Sequence, residues 1–327
     1  ANTTGTQNVA VGTFALDANT TANNNTAVGY VALGGNTTGT ENTAVGRNAL
    51  ESNTTGSMNT AVGALALDDN NADHNTAVGN GALNLNQSGT QNTAVGSRAL
   101  EDNISGNECT GVGYASLLVN TASNNSGFGA FTLVNNTSGT NNTAVGKSAL
   151  GANTTGDSNT GIGKDALFSN TTGSQNTAIG RLALEANTTG GNNSAVGVNA
   201  LNANTTADHN TAVGQSSLAA TTTGDQNSAV GSFAMQSNTT GEYNTAIGYN
   251  SLGANTTADN NTALGYRALQ ANTTGTANTA VGGTALDACT TGRENVAVGY
   301  HALTDLTTGN FCTAVGQSAG RDVTTGS

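Results

Sequence analysis

The sequence lacks proline and tryptophan altogether and has few charged or aromatic residues. Among 327 residues, 9% are charged and 4% are aromatic. An ordinary globular domain has about 25% charged residues. The scarcity of aromatic side chains excludes a large core built on aromatic anchors. Disorder is also disfavoured, because 35% of the residues are apolar and disordered chains combine high charge with low hydrophobicity.

Positive charge and long apolar runs are also scarce. Eight Lys and Arg residues stand against 20 Asp and Glu, which gives a net charge of −12. Nucleic-acid binding depends on basic side chains that neutralise phosphates, so we expect no nucleic-acid partner. No apolar run approaches the ~18 residues needed to span a bilayer, so we expect no membrane insertion.

What the sequence has instead is one short repeat. The string Asn-Thr-Ala-Val-Gly or a close variant occurs 19 times, and its glycines are 17 residues apart except at two steps of 16. Both shorter steps lose a residue between the Leu and the next Asn, which marks that segment as a turn. The consensus unit is N-T-A-V-G-x-x-A-L-x-A-N-T-T-G-x-x, and its positions are called columns one to seventeen below.

This repeat predicts an all-β fold. Its 17 residues are too few for a two-helix repeat, and its glycines, β-branched residues and Asn-Thr-Thr-Gly turns disfavour helix. We therefore predict a parallel β-solenoid of 19 coils, each with two short strands and a longer turn. At ~4.8 Å per coil, the array would be a rod of roughly 90 Å. Residues 1–327 are predicted to form a single array without separate domains.

Strand alternation predicts which columns face inward. If the bulky column four points inward, column two does as well, and columns three, five and eight point outward. The outward columns would then form an apolar stripe of small residues, suited to lengthwise contact with identical chains around a three-fold axis. Alternatively, small residues merely suit tight coils and the stripe faces water. The predicted interface residues are Ala27, Ala32, Ala44, Ala49, Ala144 and Ala149.

Asn in columns one and twelve and Gly in column five are the predicted structural supports. Stacked Asn side chains can hydrogen-bond from coil to coil as a ladder, and glycine permits positive φ at corners. The predicted ladder residues are Asn25, Asn42, Asn59, Asn142, Asn159 and Asn176. The predicted corner glycines are Gly29, Gly46, Gly63, Gly146 and Gly163.

The string from Asn25 to Leu33 resembles the head repeats of trimeric autotransporter adhesins. Those repeats have a small or β-branched residue, Ala, Ile or Val, then Gly, two variable residues and Ala. The whole unit, with its N-T-T-G turn, is similar to repeat arrays of phage tail-fibre-like proteins. The resemblance implies a left-handed β-roll that trimerises. It also implies an extracellular location, as a cell-surface appendage, a secreted filament or a virion fibre.

Residues with catalytic or metal-binding chemistry are present but do not cluster in the sequence. His74, His209 and His301 would lie far apart in a straight array, so we expect no metal site. The serines belong to no nucleophile elbow or triad, so we expect neither an enzyme nor a cofactor. The acidic residues scatter over the variable columns, as they would on a solvated face.

Each of the three cysteines replaces an Asn of a ladder column. Cys109 stands alone, whereas Cys289 and Cys312 lie in adjacent coils. Two interpretations fit that pair: a disulfide, as in extracellular proteins, or two free thiols. The Asn-Thr-Thr strings are also formal glycosylation sequons, which turn geometry explains equally well. Examples of these sequons begin at Asn36, Asn53, Asn153 and Asn272.

Three functions fit this pattern. The leading hypothesis is a non-enzymatic structural protein, a rod segment of an extracellular fibre assembled from identical chains as a trimeric shaft or a head-to-tail filament. The alternative is an adhesin or tail-fibre module that binds a cell-surface carbohydrate or receptor. Such a module needs a patch of aromatic residues, and the aromatic residues of this sequence are scattered. The third is ice binding through the Thr pairs of columns thirteen and fourteen, although neighbouring strand residues point to opposite faces.

Overall fold

The computed structural model describes residues 2–326, and within them the chain is all-β, without a helix. One strand of three residues forms in each copy of the repeat, giving 19 parallel strands. The predicted parallel β-solenoid is therefore confirmed. The first nine strands are β1 (Val9–Val11), β2 (Thr26–Val28), β3 (Thr43–Val45), β4 (Thr60–Val62), β5 (Thr76–Val78), β6 (Thr93–Val95), β7 (Thr110–Val112), β8 (Ser126–Phe128) and β9 (Thr143–Val145). The remaining strands are β10 (Thr160–Ile162), β11 (Thr177–Ile179), β12 (Ser194–Val196), β13 (Thr211–Val213), β14 (Ser228–Val230), β15 (Thr245–Ile247), β16 (Thr262–Leu264), β17 (Thr279–Val281), β18 (Val296–Val298) and β19 (Thr313–Val315).

The chain divides into two compact units, residues 1–159 and residues 160–327. The first unit contains β1 to β9 and the second contains β10 to β19. Within each unit, consecutive strands pair in parallel with identical columns opposite each other, as Thr26 with Thr43. The register is kept across a 16-residue step, where Thr60 pairs with Thr76, so the turn absorbs the missing residue. The prediction that residues 1–327 form one array without domains stays a prediction.

The prediction of two strands per coil is wrong, since each coil in residues 2–326 has one. Columns seven and nine have left-handed backbone, as at Asn48 with φ of 58° and Leu50 with φ of 53°. An extended strand needs negative φ, so the segment after column five is a run of turns. This segment still bonds from coil to coil, because the Leu50 amide donates to the Ala66 carbonyl at 3.0 Å.

The strand turns column three inward, against the buried columns eight and nine, which corrects the predicted orientation of the strand. Ala44 and Leu50 are 0% exposed, whereas Val45 is 37% exposed. The coil is too narrow for a β-branched side chain opposite column eight, so the strand turns its smallest residue inward. The predicted interface stripe does not exist, because its members are all buried in the core: Ala27, Ala32, Ala44, Ala49, Ala144 and Ala149.

Column five ends each strand at a corner that only glycine can form. Gly46 has a φ of 143°, a conformation essentially restricted to glycine. A Cβ at Gly46 would lie 2.6 Å from the carbonyl carbon of Gly63 in the next coil, so space also requires glycine. The predicted corner residues Gly29, Gly46, Gly63, Gly146 and Gly163 all have φ between 115° and 143°.

Candidate self-association face

The side chains of columns two and four form the outer surface of the strands, which we call the Thr-Val face. Column two is Thr, Ser or Val, and column four is Val, Ile, Leu or Phe. Neither column contains a charged residue in any of the 19 copies. In the first unit, the most exposed column-four residues besides the end residue Val11 are Val45, Val62, Val78, Val95, Phe128 and Val145. In the second unit, the row of exposed residues from β10 to β16 is Ile162, Ile179, Val196, Val213, Val230, Ile247 and Leu264.

The Thr-Val face is regular because the strands pair without a shift. Val196 stands opposite Val213, and Val213 stands opposite Val230. In a sheet of this kind, neighbouring side chains of one column lie about 4.8 Å apart. The seven residues of the second unit are each between 37% and 43% exposed. A single exposed apolar side chain is ordinary, whereas an unbroken row of them makes this face a candidate for self-association.

The Asn ladders fix the coils on which this face is built. In column one, the backbone N–H of Asn42 donates to Asn25 Oδ1 at 2.9 Å, and the side-chain Nδ2 of Asn42 donates to the Gly56 carbonyl at 2.8 Å. In column twelve, Asn53 Nδ2 donates to Asn36 Oδ1 and to the Gly56 carbonyl, both at 3.0 Å. These side chains are fully buried, and buried amides are stable only when they are bonded in this way.

The column-one pattern recurs at the other predicted ladder residues. The backbone N–H of Asn59 donates to Asn42 Oδ1 at 3.0 Å, and the backbone N–H of Asn159 donates to Asn142 Oδ1 at 2.9 Å. In the second unit, Asn176 Nδ2 donates to the Gly190 carbonyl at 2.8 Å. Column one therefore joins neighbouring coils mainly from side chain to backbone, with some side-chain bonds such as Asn244 Nδ2 to Asn227 Oδ1 at 3.1 Å. Column twelve joins them from side chain to side chain.

Two substitutions leave gaps in the column-twelve ladder. Asn204 Oδ1 and Asn272 Oδ1 are buried without a hydrogen-bond partner. The next residue of the column after Asn204 is Thr221, and the one after Asn272 is Cys289. Neither has a side-chain amide that could donate a hydrogen bond. An unpartnered buried acceptor costs about 1–3 kcal/mol, so these two coil junctions are weak points.

All three cysteines are free thiols in the structure. Cys289 Sγ donates to the Gly292 carbonyl at 3.8 Å, and Cys312 Sγ donates to the Asn310 carbonyl at 3.5 Å. Burial raises the pKa of the Cys109 and Cys289 thiols. Because the thiolate is the reactive form, these two cysteines are expected to be inert.

The formal glycosylation sequons of column twelve are inaccessible in the folded chain. Asn36, Asn53, Asn153 and Asn272 are fully buried. A glycan would have to be attached to the same Nδ2 that donates to the ladder, as Asn53 Nδ2 does to Asn36 Oδ1. Turn and ladder geometry therefore account for these strings.

The three histidines have different surroundings. His74 and His209 are exposed, and His301 Nδ1 lies 2.8 Å from Thr284 Oγ1. Within residues 2–326, no three His, Cys, Asp or Glu side chains come together as metal ligands. The same part of the chain contains no helix with the length and apolar character needed to cross a membrane.

Columns thirteen and fourteen do not present a flat pair of Thr hydroxyls. In column thirteen, Thr37 Oγ1 donates to the Thr54 carbonyl at 3.0 Å, and Thr205 Oγ1 donates to the Thr222 carbonyl at 3.1 Å. Thr38 and Thr206 of column fourteen are exposed, whereas Thr37 and Thr205 of column thirteen are half-buried. At these two coils, the geometry on which ice binding was predicted is therefore limited to one column.

Several aromatic residues that looked scattered in the sequence are neighbours in the structure. Columns six and seven of adjacent coils bring rings 16 or 17 residues apart into contact. The pairs are Phe14 with Tyr30, Tyr114 with Phe131, Phe233 with Tyr249 and Tyr249 with Tyr266. The spacing of these residues by one repeat could have predicted this clustering from the sequence.

No protein-family model matches the chain, and no curated protein matches it. The fold defines the class as a parallel β-solenoid of short tandem repeats. The resemblance to adhesin heads and tail-fibre arrays stays a prediction made from the repeat motif.

Proposed function

We propose that this protein is a non-enzymatic structural protein that builds an extracellular fibre by lengthwise contact between the Thr-Val faces of identical chains. The observation that carries the proposal is the row of exposed apolar side chains in column four. In the second unit this row runs without interruption from Ile162 to Leu264. The interface predicted from the sequence lay on the Ala columns, which are buried. The proposed interface lies on columns two and four instead.

The energy available on this face fits self-association. Burying the exposed part of one Val or Ile contributes on the order of 1 kcal/mol. Association costs an estimated 4–15 kcal/mol in lost translational and rotational freedom. Because the second unit alone offers seven such side chains, the gain is comparable with that cost. A longer array therefore binds its own copies more tightly than a short one.

The charge distribution also supports contact between identical chains. The net charge of −12 would oppose association if carboxylates lay on the contact surface. The carboxylates lie in other columns, as at Asp208, Asp225, Glu242 and Asp259 of column sixteen. The Thr-Val face is neutral, and the remaining charge would keep an assembled fibre soluble.

Identical coils in register allow the same residues of each chain to meet around a common axis. Closed symmetry of this kind is the rule for homo-oligomers. The three-fold arrangement comes from the resemblance to trimeric adhesin heads, and a head-to-tail filament is the other form of the same proposal. Among the alternatives, receptor binding is favoured by one specific observation, the contact of the Phe233, Tyr249 and Tyr266 rings on consecutive coils.

Light scattering of the full chain tests the proposal. The wild type is expected to have a mass that is a multiple of 32.0 kDa. Combined Val196→Lys, Val213→Lys and Val230→Lys should reduce the mass to that of one chain, because charges would be buried in the interface. The matched control places Lys at Thr206, Thr223 and Thr240, which are exposed in column fourteen of the same coils, and should keep the wild-type mass.

Circular dichroism shows whether the variants remain folded. A wild-type protein that is monomeric at every concentration would overturn the proposed function. A folded Val variant that keeps the wild-type mass would overturn the assignment of the interface to column four.

A further inference from the structure

Phe233, Tyr249 and Tyr266 form an aromatic cluster on three consecutive coils of the second unit. The Phe233 and Tyr249 ring centroids are 5.8 Å apart with planes at 84°, and those of Tyr249 and Tyr266 are 5.7 Å apart with planes at 12°. Tyr249 and Tyr266 remain 49% and 55% exposed despite these contacts. The rings therefore offer a continuous apolar surface to solvent.

A cavity of about 220 Å³ opens beside the first two rings and is lined by Phe233, Gln236, Tyr249 and Asn250. The two rings are almost perpendicular, so they form two different walls of this cavity. Gln236 supplies a hydrogen-bond donor and an acceptor, and Asn250 supplies its Nδ2 as a donor, since its Oδ1 is buried. Apolar walls with a few polar groups are typical of small-molecule sites, and sites for drug-sized ligands have about 300–1,000 Å³. This smaller cavity suits a single ring-sized group.

The charges around the cavity favour a neutral ligand. None of the four lining residues is an Asp, Glu, Lys, Arg or His. The nearest charge that contacts the cluster is a cation, because the Arg267 guanidinium lies 6.0 Å from the Tyr266 ring centroid. Aromatic clusters often bind cations, but a cationic ligand here would meet Arg267 and find no carboxylate in the cavity. A neutral ligand with an apolar face and a hydroxylated edge fits both the rings and the amides.

We propose that the aromatic cluster binds a neutral pyranose unit of a glycan. The C–H face of the sugar stacks on Tyr249, and its hydroxyl groups bond to the amides of Gln236 and Asn250. The site lies in columns six, seven and ten, whereas the Thr-Val face lies in columns two and four. Sugar binding therefore does not depend on the proposed self-association and can be tested separately from it.

The chain contains a matched comparison for this site. Phe14 and Tyr30 occupy the same columns, and their rings lie 6.2 Å apart with planes at 75°. In that pair, the positions equivalent to Gln236 and Asn250 are occupied by Asp17 and Val31. Rings alone should therefore not bind the sugar, and Tyr30→Ala serves as the control variant.

Saturation-transfer difference NMR on the full chain tests the proposal. The probes are the methyl pyranosides of glucose, galactose, N-acetylglucosamine and rhamnose, with tetramethylammonium as the cationic competitor. At least one pyranoside should receive saturation at its ring protons. Tyr249→Ala should reduce this transfer about fivefold, whereas Tyr249→Phe, which keeps the ring, should retain most of it. Gln236→Ala should weaken binding, and Tyr30→Ala should leave it unchanged.

The variants are expected to fold, because column six is Ala in two other coils, at Ala64 and Ala130. Three results would overturn the proposal: no transfer to any pyranoside, undiminished transfer with Tyr249→Ala, or preferential binding of tetramethylammonium. The oligomeric mass, measured on the same samples, reports separately on the proposed function.

Discussion

Gly127 faces Thr132 and Ser116 inside the core, where two hydroxyl side chains take the place that other coils give to Ala. A Cβ on Gly127 would lie 2.5 Å from Ser116 Oγ and 2.7 Å from Thr132 Oγ1. These two hydroxyl groups are hydrogen-bonded to each other at 2.7 Å. At this coil, columns three and eight therefore share one volume, and the two hydroxyl side chains leave no room for a Cβ at position 127.

Gly127→Ala should destabilise the surrounding coils by about 1–3 kcal/mol, because the added methyl group overpacks the core. The combined variant Gly127→Ala, Ser116→Ala and Thr132→Ala restores the consensus pair of small residues and should recover most of that loss. Thermal unfolding followed by circular dichroism measures both effects. If the triple variant is no more stable than Gly127→Ala alone, the two columns do not share the volume described.

Thr221→Asn should stabilise the second unit, because it fills a gap in the column-twelve ladder. The new Nδ2 can donate to Asn204 Oδ1, which is buried without a partner. The new Oδ1 can accept from Asn238 Nδ2, which now donates to the Gly241 carbonyl at 3.0 Å and contacts Thr221 Oγ1 only at 3.5 Å. We expect a gain of about 1 kcal/mol, typical of one additional buried hydrogen bond.

Native-state hydrogen exchange measures this effect coil by coil, which suits a fold stabilised by nearest-neighbour stacking. Slower exchange should be confined to the coils that contain Asn204, Thr221 and Asn238. Thr221→Ala is the control, since it cannot donate to Asn204. Equal exchange in the Asn and Ala variants would contradict the ladder account.

Asp68 should make the first unit less stable as the pH rises. Burial, with the nearby charges of Glu51 and Asp69, raises the pKa of Asp68 to about 6 from the ordinary value of 3.8. The folded state therefore binds the proton more tightly than the unfolded state. Stability from this group is fully present below the unfolded pKa and is lost as the pH rises through the folded pKa.

Asp68→Asn removes this titration and should stabilise the protein above about pH 6.5, with little effect near pH 4. Since Asp68 is partly exposed and solvent screens its charge, we expect a gain of about 1 kcal/mol. Thermal midpoints of wild type and variant at the two pH values give the comparison. A gain of equal size at both would show that the carboxylate charge is not the cause.

The repeat period determined most of what was predictable about the fold. A 17-residue unit with glycine at a fixed position leads directly to parallel strands in register, as seen where Thr26 pairs with Thr43. Identical Asn residues at one position in each coil also indicate a ladder. Both inferences depend only on equal residues meeting equal residues in stacked coils.

The orientation of the strand was not predicted, because bulk was taken as the sign of burial. The range of side-chain sizes that each column accepts was the better indicator of burial. Column three is Ala or Gly in all 19 copies, whereas column four accepts Val, Ile, Leu and Phe128. A column that stays small has no room around it, and a column that accepts Phe faces open space. Alternation alone cannot choose between the two faces of a strand.

The single strand per coil was not predictable from residue type. Leu50 has φ of 53°, in a region that normally favours Gly, Asn or Asp. Left-handed backbone at such a residue costs roughly 1–2 kcal/mol. Complete burial of the Leu side chain contributes about 1.5–3 kcal/mol and offsets that cost. Tertiary packing thus overrides the local preference in column nine, and the sequence alone does not reveal this.

Chemical labelling of column four tests the central claim most directly. Val213→Cys and Thr206→Cys, each in a Cys312→Ser background, place one thiol on the Thr-Val face and one on the exposed column fourteen. If identical chains meet through the Thr-Val face, Cys at 213 should react with a maleimide about tenfold more slowly than Cys at 206 and should become reactive on dilution. Equal and rapid labelling at both positions, at every concentration, would contradict the account, because Val213 is 37% exposed in the single chain.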